Sequence, residues 1–292
     1  MKRAVAIRDE LEQIRTVEGL TGVFESIASI KIAKLRNRVV ASKEFFGELW
    51  QTYRGLRVNP TEQMVRASKS KNDRTVFVAI TSEGKLSGDV DKQVSDKLTE
   101  AYGNSQDQDK IDIVVLGSQG ATQLERNGVV VKQVFPLPAG DIQFSVSEII
   151  ELLQEYSQIS VFYETYESIR IQSVKRIELV SQVRQLGDKV EDDSETVEIM
   201  SSHEYIFEPN INEIADYLES LMLGVALTQV IMESKLAQYA SRFNAMSAAK
   251  HRAGEIGAEY SSMYHRAKRF ESDERLKEIV TVATNITQEP AV

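Results

Sequence analysis

INEIADYLESLMLGVALTQVIMESKLAQYASRFNAM, residues 211–246, decides how this chain is built. Its apolar positions fall at Ile211, Ile214, Leu218, Leu221, Val225, Thr228, Met232, Leu236, Tyr239, Phe243 and Met246, in alternating steps of mostly three and four. The pattern continues through Ala253, Ile256, Tyr260, Met263 and Ala267 toward Ala283. Such spacing is the seam of an α-helix that keeps one face against a partner along its length. No proline interrupts the run between Pro209 and Pro290. At about 1.5 Å per residue, roughly 70 residues make a rod on the order of 105 Å long. A compact domain cannot enclose such a rod, so the reading is a helix of which much projects.

The opposite end of the chain carries a second helical pattern. Over residues 4–56, Ile7, Leu11, Ile14, Leu20, Phe24 and Ile27 fall on one stripe, and no proline occurs before Pro60. Gly19, Gly22, Ala28 and Ser29 are small enough to let another helix approach, which offsets the up to ~1 kcal/mol that a glycine costs inside a helix. The two terminal helices are therefore expected to pair as an antiparallel coiled coil.

Between them the texture changes. Residues 57–74 are polar and contain Pro60, and read as a linker. Val76–Ile80, Ile111–Leu116, Val129–Val134 and Ile159–Tyr163 are short apolar runs of strand type. Helical segments are expected at Asp91–Tyr102, at Ala121–Arg126, and from a cap at Ser145 to about Tyr156, with Glu148 completing a capping box. Strands alternating with helices predict a small α/β domain with a largely parallel, Rossmann-like sheet over residues 75–209. Arg170–Val183 reads as extended chain and the acidic Gly187–Thr196 as a mobile loop. The expected plan is a coiled-coil helix at 1–56, the linker, the α/β domain, a coiled-coil helix at 210–285 and a tail at 286–292.

Composition bounds the chemistry. The 292 residues are 42% hydrophobic and 27% charged, with no cysteine, which excludes disulfides, thiolate metal sites and cysteine nucleophiles. No apolar run approaches the ~18 residues needed to span a bilayer. The first residues lack the apolar core of a signal peptide and reach an acid at Asp9. A cytoplasmic location is the default expectation. A net charge of −9 argues against nucleic acid as a partner, because phosphate binding needs a concentrated basic face.

Catalytic patterns fare poorly. Ser82–Gly88 follows a strand but lacks the Gly-x-x-x-x-Gly-Lys-Ser/Thr order of a phosphate loop, and a strand-end turn is the better account. Gly117-Ser-Gln-Gly120 is not a nucleophile elbow. His251 and His265 are too far apart on one helix to share a metal. Glu191, Asp192 and Asp193 read as a solvated charge run. No cofactor or metal is expected. The long helix becomes locally basic at Lys250, His251, Arg252, His265, Arg266, Lys268 and Arg269, as the first helix does at Lys31, Lys34, Arg36 and Arg38. This collar either keeps a rod soluble or faces acidic loops of a partner.

Taken together, the residues resemble the γ subunit family of F-type ATP synthases. Leu20–Phe24, Ile27–Ile32, Val78–Ser82, Ile113–Gly117 and Tyr205–Pro209 are similar to family segments in the same order. The strongest likeness runs from Met232 through Tyr239–Met246 into Tyr264–Lys268 and Glu278–Val280. Departures are Phe24 and Ser26 where methionines are usual, Gly84–Gly88 in place of a glycine–cysteine loop, and Arg252, His265, Arg269, Asp273 and Arg275 near the end of the long helix.

The resemblance implies a rotor shaft with no active site of its own, turning inside a ring of three α and three β subunits. It implies that Phe24, Lys31, Arg242, Arg266, Lys268 and Arg269 face that stator ring. Tyr205, Phe207 and Glu208 would lie at the foot, toward the ε subunit and the membrane c-ring, on the cytoplasmic face of the membrane. The alternatives are a non-rotating coiled-coil scaffold or adaptor and, less favoured, a nucleotide-binding α/β enzyme with helical arms.

Overall fold

A computed structural model describes residues 4–56, 72–84, 86–137, 146–192, 208 and 210–287. Helix α1 spans Ala4–Gly55 and is followed by strand β1 (Asn72–Ile80), α2 (Val90–Gly103), a 3₁₀ turn at Gln108–Lys110 and β2 (Ile111–Leu116). Then come α3 (Ser118–Arg126), β3 (Gln133–Phe135), α4 (Ser147–Leu153), β4 (Tyr156–Tyr166), β5 (Gln172–Glu178), α5 (Leu179–Asp192) and α6 (Ile211–Thr287). The chain forms two compact units, one of residues 28–243 and one pairing the first 27 residues with those from Asn244 onward.

In the larger unit the five strands lie in the order β3-β2-β1-β4-β5. The first four are parallel and β5 runs antiparallel to β4. Alternate side chains serve opposite faces of the sheet. Val76, Val78, Ile80, Val114, Leu116 and Val161 pack with Phe46, Trp50 and Tyr53 of α1 and with Met222, Ala226 and Val230 of α6. Phe77, Ala79, Ile113, Val115 and Phe162 pack with Val94 and Leu98 of α2 and Leu124 of α3. Both faces are covered, which is why these strands read as unbroken apolar runs rather than alternating ones.

Several expected boundaries move. β1 begins at Asn72, inside the segment read as linker; residues 57–71 lie outside the described residues. The third strand is Gln133–Phe135 rather than Val129–Val134. Gly128, at φ +76°, closes α3 instead: its N–H donates to Glu125 O, and Val129 N–H donates to Leu124 O. That pattern is a Schellman cap, and Val129 is buried beside Leu124 as its hydrophobic contact. Ser145 lies outside the described residues, and α4 ends at Leu153 because Tyr156 already belongs to β4. The extended reading of 170–183 holds only as far as Glu178, since α5 takes residues 179–192.

Helix α6 also corrects the membrane reading. It contains an 18-residue window long and apolar enough to cross a bilayer by length and composition, although most of that window is buried inside the protein. Alanine, glycine, threonine and glutamine break up the large apolar side chains along this helix. Its burial against the sheet is the simpler account of its apolarity.

Candidate functional site

The unit of paired termini is antiparallel. Ala4 N–H donates to Glu271 Oε1 at 2.9 Å, Ala4 and Ile7 cluster with Ala267, and Lys250 Nζ donates to Glu25 Oε2 at 3.0 Å. The face of α1 turned inward is Ala4, Ile7, Leu11, Ile14, Glu18, Thr21 and Glu25, spaced strictly three and four. This is a heptad seam whose second half is polar. Opposite that half stand Ser247, Lys250 and Gly254: a Cβ at Gly254 would meet Glu18 Oε1 at 3.4 Å, and the Lys250 stem covers Gly22.

Leu20, Phe24 and Ile27 are therefore not on the buried stripe. They are exposed, together with Val17 and Val23. The apolar pattern steps onto a neighbouring face of the helix after Ile14, while the packed seam continues through glutamates and a threonine. Of the small residues, Gly22 and Ala28 are covered, whereas Gly19 has nothing within 4 Å of its Cβ position and Ser29 is exposed. Arg266, Lys268 and Arg269 are all exposed, and Arg269 Nε donates to His265 O of its own helix, at 3.3 Å.

In the larger unit a second constellation forms where β1 ends. Ser82 N–H and Oγ donate to the two oxygens of Asp91, at 2.7 and 2.5 Å, and so clamp the start of α2 onto the end of the strand. Ser87 is held from α6: Ser241 Oγ donates to its carbonyl at 2.9 Å and Arg242 Nη2 to its hydroxyl at 2.9 Å. Arg242 also lies over the Tyr239 ring, 5.5 Å from its centroid. Gly88 sits at φ +69° with Ser241 Oγ 3.2 Å from its Cβ position, so a side chain there would be both strained and crowded. Arg242, read from sequence as facing a partner, is half-buried on its own loop.

Beneath that loop are two acids the sequence reading did not single out. Glu164 of β4 is 3% exposed, and its Oε2 has no hydrogen-bond partner. Burial, and then the neighbouring Asp91 charge, pushes its carboxyl up to about 8. Burial also raises Asp91, against the pull of the Ser82 hydrogen bonds and Arg242. In a strand pattern Glu164 looks like an ordinary edge acid; the strand order, which puts β4 between β1 and β5, buries it.

At the other end of the strands, Asp112 gathers Arg74, Lys132 Nζ at 2.6 Å and the Tyr156 hydroxyl at 2.8 Å. Lys31 is half-buried, Glu208 is exposed, and Tyr205 and Phe207 lie outside the described residues. His251 and His265 are exposed. No group of three His, Asp or Glu side chains suited to a metal occurs among the described residues.

A family model described as ATP synthase matches residues 4–286. The chain belongs to the ATP synthase gamma subunit family. Among similar curated proteins, the ATP synthase gamma chain of Verminephrobacter eiseniae is 27% identical over 290 residues, covering 95% of this chain and 96% of the relative. That of Chlorobium phaeobacteroides is 24% identical over the same length and shares. Among solved structures, a chain of the Euglena gracilis mitochondrial ATP synthase (OSCP/F1/c-ring) aligns at TM-score 0.63 and 14% identity, covering 98% of this chain and 97% of that one. A chain of the Tetrahymena thermophila central stalk and c-ring aligns at 0.55 and 18%, covering 79% and 99%.

For a gamma-family chain the two constellations separate cleanly. The paired termini present apolar and basic side chains outward, whereas the strand-end loop is tied inward to α6. The family match reaches across both, so neither is an addition to the fold.

Proposed function

We propose that the chain is the central rotor shaft of a rotary ATP synthase, coupling rotation driven at a membrane c-ring to the nucleotide sites of a surrounding ring of three α and three β subunits. The observation that carries this reading is the antiparallel pairing of the chain's two ends, within a family match that runs from residue 4 to residue 286. A shaft contributes no catalytic group. It acts by offering different faces to identical partners, and differential contact is what shifts each partner between its states.

On this reading Phe24, Arg266, Lys268 and Arg269 are the outward contacts to the stator ring, which their exposure supports. Lys31 and Arg242 would meet the ring with only part of their side chains, since both are half-buried. Tyr205, Phe207 and Glu208 would form the foot toward the ε subunit and c-ring, giving a peripheral location on the cytoplasmic face of the membrane. The scaffold alternative differs in stoichiometry. Native mass spectrometry of the tagged protein, purified from its own cells under mild detergent, is expected to find one copy with three each of two larger nucleotide-binding chains. A homodimer, or a complex lacking such a ring, would overturn the shaft reading.

A further inference from the structure

Within the larger unit, α1 and α6 leave a groove of about 610 Å³ between them. Arg36, Asn37, Val40 and Lys43 line it from α1, and Gln229, Glu233 and Leu236 from α6. Tyr166, the last residue of β4, lines it too. The size falls within the roughly 300–1,000 Å³ of small-molecule sites.

Gln229 is the anomaly in this groove. Its side chain is 7% exposed, its Oε1 is buried without a donor, and its amide makes no hydrogen bond among the described residues. A buried amide in that condition gives up its bonds to water and gains none in return. A leucine would close the same seam without that cost. A half-turn about the terminal torsion exchanges the donor and acceptor ends of the amide, so either end can be met from the groove.

The charges are unevenly matched. Burial raises the Glu233 carboxyl, against the pull of Lys175, Lys43 and the Tyr163 hydroxyl. Lys43 thus already faces an acid, whereas Arg36 is exposed and has no ion pair among the described residues. The two helices run antiparallel here, since Ile32 and Leu35 cluster with Leu236 while Tyr53 bonds to Glu219. Arg36 therefore lies toward Leu236 and Lys43 toward Gln229, with Glu233 between. Two helical turns, about 10 Å, separate the ends.

We propose that this groove binds an adenine nucleotide, with its phosphate on Arg36, its ribose hydroxyls at Glu233 and the edge of its base on Gln229. A guanidinium pairs with a phosphoryl group through two parallel bonds. A carboxylate accepts from sugar hydroxyls. The side-by-side donor and acceptor of a glutamine match N7 and the N6 amino group of adenine, whereas guanine presents two acceptors at the same edge. Val40 and the Lys43 stem give the base an apolar wall. A nucleoside monophosphate has the length of the groove. None of these residues is assigned to the stator ring, so the site stands or falls apart from the shaft reading.

Calorimetric titration of the full-length chain, free of ring subunits so that no other nucleotide site contributes, tests this with AMP, GMP and inorganic phosphate. AMP is expected to bind saturably, and GMP and phosphate about tenfold more weakly or worse. Arg36→Gln, at an exposed position, should weaken AMP about tenfold or more. Gln229→Leu should erase the preference for AMP over GMP while circular dichroism remains that of the parent. No saturable uptake of millimolar AMP would overturn the proposal, as would unchanged AMP affinity in Arg36→Gln. Phosphate bound as tightly as AMP would reduce the groove to an anion patch and overturn the nucleotide assignment. Should Gln229→Leu fail to fold, the parent's own ratio decides: equal binding of AMP and GMP overturns the role of Gln229, and a preference for AMP supports it.

Discussion

Tyr53 and Glu219 form a buried polar pair in the middle of an apolar layer. The Tyr53 hydroxyl donates to Glu219 Oε1 at 2.6 Å, with Tyr53 fully buried and Glu219 2% exposed. Burial raises both groups; the hydrogen bond raises the tyrosine further and pulls the glutamate partly back. Tyr53→Phe removes the one donor that Glu219 has among the described residues, and is expected to cost about 1–3 kcal/mol. Because the folded carboxyl then binds its proton more tightly still, the deficit should widen as pH rises above the parent's own raised value. Denaturant melts at pH 5 and pH 8 test this. Equal midpoints for parent and variant at both values would refute it, and adding Glu219→Gln should recover part of the loss.

Asp112 gives the opposite sign. Burial works to raise its carboxyl, but hydrogen bonds from Lys132, Arg74 and Tyr156 win and hold it at about 2. Its contribution is present above the unfolded value near 4 and is lost as pH falls from there toward 2. Lys132 and Arg74 are 49% and 40% exposed, so water screens the pair and about 1–2 kcal/mol is the expected size. The stability of Asp112→Asn should accordingly fall less than that of the parent between pH 4 and pH 2. Parallel curves for the two proteins would rule the assignment out.

Among the elements, α5 is where reading the sequence alone went furthest astray. Gly187 and the acids after it resemble a loop, yet Gly187 is buried inside α5 with its α-carbon against the Trp50 indole. A glycine there is a packing choice, because any Cβ would overlap the ring. Gly187→Ala, which by propensity alone would stabilise a helix by about 1 kcal/mol, is expected to destabilise the protein by about 1–3 kcal/mol through overpacking. A thermal melt of the variant with an unchanged or higher midpoint would show the glycine to be slack instead.

The same distinction separates the legible elements from the others. Proline-free runs with a sustained three–four repeat gave the two long helices nearly to the residue, and β2 matches its apolar run at both ends. The polar half of the α1 seam was hidden because Glu18, Thr21 and Glu25 carry no hydrophobic signal. Their burial depends on Ser247, Lys250 and Gly254, more than two hundred residues away. Glu164 and Asp91 were hidden for a related reason, since strand order rather than strand pattern brings them together.

At the scale of the whole molecule, charge is distributed against the net balance. The chain carries −9 overall, yet Arg266, Lys268 and Arg269 are exposed within one turn of α6, near the exposed Phe270. Single exposed ion pairs contribute little to affinity, but a cluster of one sign steers approach and sets salt dependence. If this cluster meets acidic surfaces of the ring, the triple variant Arg266→Gln, Lys268→Gln, Arg269→Gln should associate more slowly with α and β subunits at low salt. Raising the ionic strength should bring parent and variant together, since the Debye length shrinks from about 30 Å at 0.01 M to about 10 Å at 0.1 M. Association rates measured across that range should therefore be steeply salt-dependent for the parent and nearly flat for the variant. If the exposed Phe24 also meets the ring, dissociation should change less, because apolar contacts resist screening. Equal salt slopes for the two proteins would mean that the basic cluster only solvates the helix.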